Sequence, residues 1–337
     1  MNILKYLGDV ETQPVYSPEI FLRITVNDKS SQCPLSNKFG ADSNMWERLL
    51  IRAYELNLNI VGVSFHVGSG CTRVNSFTEA LNDTARLFEL SSQLEYRQKW
   101  KTRKVKQNEN TLAMNGFHSM NVINIGGGFP GDTSNQFFPA MVDEINEFIN
   151  GDWCKQWVYY RQTAYSKDYK LSFIAEPGRF FAHQSTTLIT TVCGIKESRD
   201  DSQGMSMNYY LNDGVYGSFN NLVYDHAILI PPLCQQEYLS LIRKYDNSMY
   251  ETLLESVVCD LKYHDNGKQK HPKKFSRFFG PTCDGFDLII EREFPLLVEG
   301  EKLFWLDMGA YTQAAASKFN GFSSPTKIYI HLSTQRK

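Results

Sequence analysis

Four short runs of β-branched and aromatic residues recur through the first half of the chain, with helix-compatible stretches between them. The runs are EIFLRITV (19–26), IVGVSFHV (60–67), MNVINIGG (120–127) and LSFIAEPG (171–178). Between them, MWERLLIRAYELNL (45–58) and SFTEALNDTARLFELSSQL (76–94) place apolar residues at helical spacing. The second opens on Ser76 with Glu79 three residues on, the pattern of a capping box. Near-continuous apolar strands alternating with helices predict parallel βα units. The three later strands end in unusual tips: His66-Val67-Gly68-Ser69-Gly70, Gly126-Gly127-Gly128 and Glu176-Pro177-Gly178-Arg179. In a (β/α) barrel the functional groups gather at the C-terminal strand ends, and a phosphate is often held by the loops after the last two strands.

Beyond residue 185 the texture changes. STTLITTVCGI (185–195), NYYLNDGVYGSF (208–219), KLFWLDMGAYT (302–312) and TKIYIHL (326–332) read as strands joined by turns and polar loops. They predict a second, mainly-β domain and a division into residues 1–185 and 186–337. With 337 residues, 42% of them hydrophobic and 21% charged, the chain can bury a sizeable core. A net charge of −2 gives no reason to expect a nucleic-acid or anionic-membrane partner. No apolar run reaches the roughly 18–20 residues of a membrane span, and the start, MNILKYLGDVETQP, lacks the pattern of a signal peptide. The seven cysteines (33, 71, 154, 193, 234, 259 and 283) show neither a CxxC pair nor a zinc-binding Cys/His spacing. They read as reduced thiols of a cytoplasmic protein, with no metal site. Two segments read as surface insertions. One is the strongly basic YRQKWKTRKVKQNEN (96–110), a solvated loop or a site for an anionic partner; the other covers about 235–276.

Nine motifs follow one another along the chain: NKFGA (37–41), GVSFHVGSGC (62–71), INIGGGFPG (123–131), AEPGRFF (175–181), LNDGVYGSFN (211–220), VYDHA (223–227), FGPTCDGFD (279–287), DMGAYT (307–312) and FNGF (319–322). Read together, they resemble the ornithine decarboxylase family, pyridoxal-phosphate (PLP) enzymes of the alanine-racemase-like fold. The resemblance implies an α/β-plus-β architecture: the last four βα units of a (β/α)8 barrel, followed by a C-terminal mainly-β domain. It implies PLP as cofactor. The phosphate dianion would be held by the backbone N–H groups of Gly126, Gly127 and Gly128, the hydroxyl of Ser69, the charge of Arg179 and the phenol of Tyr311. Glu176 resembles the carboxylate that pairs with the pyridine nitrogen and makes the ring a better electron sink. His66 resembles the imidazole stacked on the ring. Arg86 matches a family arginine near the site, or is a plain helix-surface residue.

Asp225 and Asp284 resemble the two acids that read the distal ammonium of L-ornithine, and Phe319 an aromatic wall of the pocket. Cys283 resembles the thiol that returns a proton to Cα, so that Cys283, His66 and Glu176 are the implied catalytic residues. In the family, Cys283 and Asp284 reach into the partner's site. This implies a homodimer with shared active sites, in which Lys38 and Asp287 resemble a bridging pair. The implied activity is conversion of L-ornithine to putrescine in polyamine biosynthesis, with antizyme as an implied protein partner. The alternatives are a catalytically inactive homologue of the antizyme-inhibitor type and a related arginine or lysine decarboxylase.

The resemblance begins at about residue 20. The lysine that forms the Schiff base with PLP, in a Pro-x-x-Ala-Val-Lys setting, has no counterpart: Lys5, in MNILKYLGD, does not match. The expectation is a chain truncated at its N-terminus, whose half-barrel leaves parallel strand edges to be covered by a partner. Such a chain alone is expected to release no carbon dioxide from ornithine. The expectation is likewise of no long tail after KIYIHL.

Overall fold

The computed structural model describes residues 18–56, 58–105, 120–132, 135–200, 204–245 and 272–329; Lys5 and Cys259 lie outside them. The chain divides into two compact units, residues 1–178 and 179–337.

In the first unit the four apolar runs become β1 (Glu19–Arg23), β3 (Asn59–Ser64), β5 (Val122–Asn124) and β6 (Ser172–Ile174). They form a parallel sheet in the order β1-β3-β5-β6, so each strand pairs with its successor. A short antiparallel pair, β2 (Ser31–Cys33) and β4 (Ser69–Cys71), lies in the connections after β1 and β3. The helical stretches become α1 (Trp46–Glu55) and α2 (Ser76–Val105). Helix α1 buries Trp46, Leu50 and Ala53, one face at i, i+4 and i+7. Two further helices, α3 (Phe138–Ile149) and α4 (Asp152–Ala164), precede β6. The core is apolar and closed around Val63, Phe65, Phe77, Leu81 and Ile123.

Two sequence expectations change here. The basic segment 96–110 is not a loop where it is described: α2 continues through it to Val105, as its Lys, Arg and Gln content allows. The capping box at Ser76 does not form either. Glu79 pairs instead with Arg73, and the α2 N-terminus is capped from α3, where the buried Glu144 accepts from Asn75 N at 2.6 Å and Thr78 N at 3.0 Å. A carboxylate delivered by tertiary packing satisfies the free helix donors and complements the helix dipole.

Helix α5 (Gly178–Ala182) begins at the boundary, and the second unit builds a curled six-stranded sheet from β7 (Leu188–Asp200), β8 (Gly204–Leu211), β9 (Leu233–Cys234), β10 (Lys273–Phe279), β11 (Leu288–Pro295) and β12 (Lys302–Trp305). The order is β11-β10-β8-β7-β12-β9, antiparallel except for the parallel pair β10–β8. Its core gathers Tyr209, Leu211, Phe219, Phe278, Leu303 and Trp305, with Trp305 Nε1 donating to the buried Thr190 hydroxyl at 2.9 Å. Small helices α6 (Asn221–Tyr224) and α7 (Gln235–Tyr245) sit in the connections. The segment 235–276 is therefore not a surface insertion at its ends: it supplies α7 and the start of an interior strand. The expected strand at 326–332 is absent from its described part, 326–329, which pairs with nothing in the sheet. No helix among the described residues is long and apolar enough to cross a membrane.

Candidate functional site

The C-terminal ends of β3, β5 and β6 converge. Gly126 (φ +64°) and Gly128 (φ +96°) occupy the left-handed region that glycine alone enters without strain. Gly127 lies outside the left-handed region but has no room. A Cβ there would lie 2.8 Å from His66 Nε2 and 2.9 Å from the carbonyl oxygen of Glu176, so the imidazole and the β6 tip both press on the glycine turn. Asn124, at the end of β5, ties the tips together. Its Oδ1 accepts from Gly126 N at 2.9 Å, and its Nδ2 donates to Glu176 Oε1 at 2.7 Å. The Glu176 N–H in turn donates to Gly126 O at 2.7 Å. Among the described residues no hydrogen bond uses the N–H of Gly127 or Gly128.

His66 is oriented by Gly68 N, which donates to Nδ1 at 3.0 Å and so leaves the ring proton on Nε2. Burial, and after it the guanidinium of Arg23, push this imidazole below its ordinary pKa, so it is neutral at pH 7. Ser69 starts β4, opposite Cys33. At pH 7 the strand-end turn thus offers two unspent backbone donors and a neutral ring, with an oriented carboxylate beside them. That set suits an anion at the glycine turn. Arg86 stands apart, exposed on α2 and paired with Asp83. Lys38 is exposed, its ammonium 5.2 Å from the centre of the Phe39 ring.

The second unit holds the remaining residues in two clusters. In the first, Arg179 grips Asp225 with both terminal nitrogens, at 2.9 and 2.5 Å. Its guanidinium carbon lies 4.9 Å from the centre of the Tyr311 ring. Asp225 is therefore not an open acid but one arm of a largely buried bidentate pair. In the second, Asp284 accepts from the Tyr216 hydroxyl and, at 3.0 Å, from Phe286 N. The phenol's donation holds the Asp284 carboxyl below its ordinary pKa and pushes the Tyr216 phenol up to about 12. The Tyr216 ring stacks on Phe319 at 4.4 Å between centroids. Cys283 is exposed, its N and Sγ at 3.2 and 3.3 Å from Asn320 Oδ1. Asp287 is buried, and its carboxylate accepts from Val215 N, Thr282 N and the Thr282 hydroxyl. Any bond to Lys38 of another copy would have to share those oxygens.

Three contributors escaped the sequence reading: Asn124, Tyr216 and Asn320. Only Asn124 carried a legible signal, a polar residue inside an otherwise apolar strand.

Residues 1–101 match the model of the family described as pyridoxal-dependent decarboxylase, pyridoxal binding domain. The chain is 35% identical over 321 residues to ornithine decarboxylase of Cricetulus griseus, covering 93% of this chain and 56% of that protein. It is 34% identical over 317 residues to antizyme inhibitor 2 of Xenopus laevis, covering 91% and 56%. Among solved structures, the arginine decarboxylase of Paramecium bursaria Chlorella virus superposes with a TM-score of 0.61 at 25% identity, covering 91% of this chain and 64% of that one. The chain thus spans a little over half the length of the curated relatives it matches.

Proposed function

We propose that the chain, whose residues 1–101 match the pyridoxal-binding-domain model and which is 35% identical to an ornithine decarboxylase, is a member of that family and carries the cofactor- and substrate-binding residues of a PLP-dependent decarboxylase of basic amino acids. L-ornithine is the proposed substrate, putrescine the product, and the cytoplasm the compartment. The observation that carries this reading is the strand-end turn. There the N–H groups of Gly127 and Gly128 are unspent, beside a neutral His66 and a Glu176 held by Asn124. A phosphate dianion fits such a turn, and the family resemblance, not contact seen between the units, assigns Ser69, Arg179 and Tyr311 to it. Bound PLP supplies the electron sink for bond cleavage at Cα.

The chain's own residues then have distinct tasks. Glu176, kept in orientation by Asn124, holds a proton at the pyridine nitrogen. His66 packs on the ring without adding a cation. Asp284 and Asp225 receive the distal ammonium, Asp225 sharing its carboxylate with Arg179. Phe319 walls the pocket. In an assembly that supplies the Schiff-base lysine, the Cys283 thiol would deliver a proton to Cα after carbon dioxide has left. Cys283 and Asp284 act in the partner's site of a homodimer joined near Lys38 and Asp287.

Binding tests this without requiring turnover. Fluorescence titration should show PLP bound, and calorimetry should rank putrescine above cadaverine and agmatine. No binding of PLP would refute the cofactor, and tighter binding of cadaverine or agmatine would move the substrate to lysine or arginine. The 34% identity to antizyme inhibitor 2 supports a second reading, a non-catalytic antizyme-binding homologue. A chain that captures antizyme yet binds neither PLP nor putrescine would establish it.

A further inference from the structure

Tyr216 links residues to which the sequence assigned separate tasks. Its hydroxyl donates to Asp284 Oδ2, and its ring stacks on Phe319 at 4.4 Å with an interplanar angle of 30°. Its carbonyl oxygen accepts from Ser317 N at 2.8 Å and from the Ser317 hydroxyl at 3.3 Å; that hydroxyl also accepts from Phe319 N. Tyr216 is itself fixed: the loop that carries it is fastened by Asp213, which accepts from Gly214 N and Ser218 N, and by Asp287, which accepts from Val215 N.

The consequence for Asp284 is geometric. A carboxylate offers about four lone-pair directions over two oxygens. Phe286 N occupies one on Oδ1 and the Tyr216 hydroxyl one on Oδ2. With a donor on each oxygen, the carboxylate cannot rotate freely about its Cβ–Cγ bond, and one acceptor direction on each oxygen stays open. Two fixed acceptors suit an ammonium, which brings three N–H donors. We propose that Tyr216 is a positioning residue for substrate recognition: through its hydroxyl it sets the orientation of the Asp284 carboxylate, and through its ring the place of the Phe319 wall, so that one side chain fixes both the polar and the apolar contact of the substrate's distal end. The proposal rests on the reading of Asp284 as an acid for that ammonium.

The direction of the proton equilibria agrees. Donation from the phenol favours the ionised carboxylate, and the phenol correspondingly holds its proton. Asp287 and Tyr224 act on the phenol in the same sense as Asp284.

Tyr216→Phe separates the two contacts, since it keeps the ring on Phe319 and removes only the donor. The full chain, labelled with 13C at its aspartate carboxyls, is titrated by NMR, with Asp284→Asn identifying the resonance. Putrescine affinity is measured by calorimetry on the same samples. In Y216F the Asp284 carboxyl should titrate at higher pH, and putrescine should bind about three- to tenfold more weakly, the range for one exposed charge-assisted bond. Phe319→Leu should leave the Asp284 titration where it is, and in D284N the added Y216F should weaken putrescine no further. If D284N weakens putrescine while Y216F alters neither the titration nor the affinity, the proposal is overturned and the ammonium reading stands. If D284N has no effect, or the unsubstituted chain binds no putrescine, the ammonium reading fails first and the proposal falls with it.

Discussion

Gly127 is the position where a single methyl group tests the strand-end turn. Its φ lies outside the left-handed region, so Gly127→Ala meets no left-handed strain, and its effect is read from contact. The new Cβ would stand 2.8 Å from His66 Nε2 and 2.9 Å from Glu176 O, where ordinary contact begins at 3.4 Å. The imidazole tip can swing, but the Glu176 carbonyl is backbone and belongs to the neighbouring strand end. The β5 and β6 tips must then part by about 0.5 Å, the difference between 3.4 and 2.9 Å. Overpacking of this kind costs about 1–3 kcal/mol, and a shift of the midpoint by about 2–4 °C per kcal/mol is usual for a unit of this size. Parting the tips also stretches the 2.7 Å bonds Asn124–Glu176 and Glu176–Gly126, so PLP affinity should fall together with stability. Gly178→Ala is the control, because a Cβ there meets nothing within 4 Å. Differential scanning fluorimetry and PLP titration on both variants decide the matter. If G127A melts and binds PLP like the unsubstituted chain, the turn is not packed as described and the cradle built on it is wrong.

Other predictions follow from groups outside the turn. Glu144→Ala strips both acceptors from the α2 N-terminus and leaves Asn75 N and Thr78 N without a partner; urea unfolding should show a loss of about 2–4 kcal/mol. Arg161, 2% exposed, reaches Glu95 at 3.1 Å in the interior between α4 and α2. Arg161→Met alone should cost about 3–5 kcal/mol because it strands a buried carboxylate, while adding Glu95→Leu should recover most of that loss. His66 predicts an acid sensitivity. Its pKa is depressed in the folded state, so the unfolded chain takes up its proton first. The stability it contributes is complete above about pH 6.5 and declines as pH falls through the folded value. The urea midpoint should therefore drop between pH 7 and pH 5.5, and less steeply in His66→Asn.

The strand order of the first unit was legible because each apolar run is followed by a helix and pairs with its successor, so neighbours in sequence are neighbours in the sheet. Length and capping were less legible. Residues 96–105 are charged enough to suggest a loop, yet Lys, Arg and Gln favour helix and α2 runs through them. Ser76 and Glu79 have capping-box spacing, but Arg73 takes Glu79, and the competitor that caps the helix, Glu144, lies 66 residues from Thr78. The residue types of the candidate site were likewise readable, and their partners were not. Arg179 and Asp225 were assigned to a phosphate and an ammonium, and in the structure they hold each other across 46 residues of sequence. Tyr216 and Asp284 are 68 residues apart. Such pairings depend on the registers of several loops at once, which no local pattern encodes.

Asn124 shows how one such pairing is tested. An amide has an acceptor at one end and a donor at the other, and Asn124 uses both, the first for the Gly126 N–H and the second for the Glu176 carboxylate. Aspartate and alanine therefore fail differently at this position. Asn124→Asp keeps the acceptor for Gly126 but sets a second carboxylate against Glu176, so the turn survives while the acid is turned away. Asn124→Ala removes both ends and leaves the buried Gly126 N–H unpaired, at a cost of about 1–3 kcal/mol. Stability should then rank the natural residue first, N124D next and N124A last. PLP affinity should fall in both variants, because each loses the orientation of Glu176. Were N124D to bind PLP as the natural residue does, the orientation of Glu176 by Asn124 would have no part in holding the cofactor.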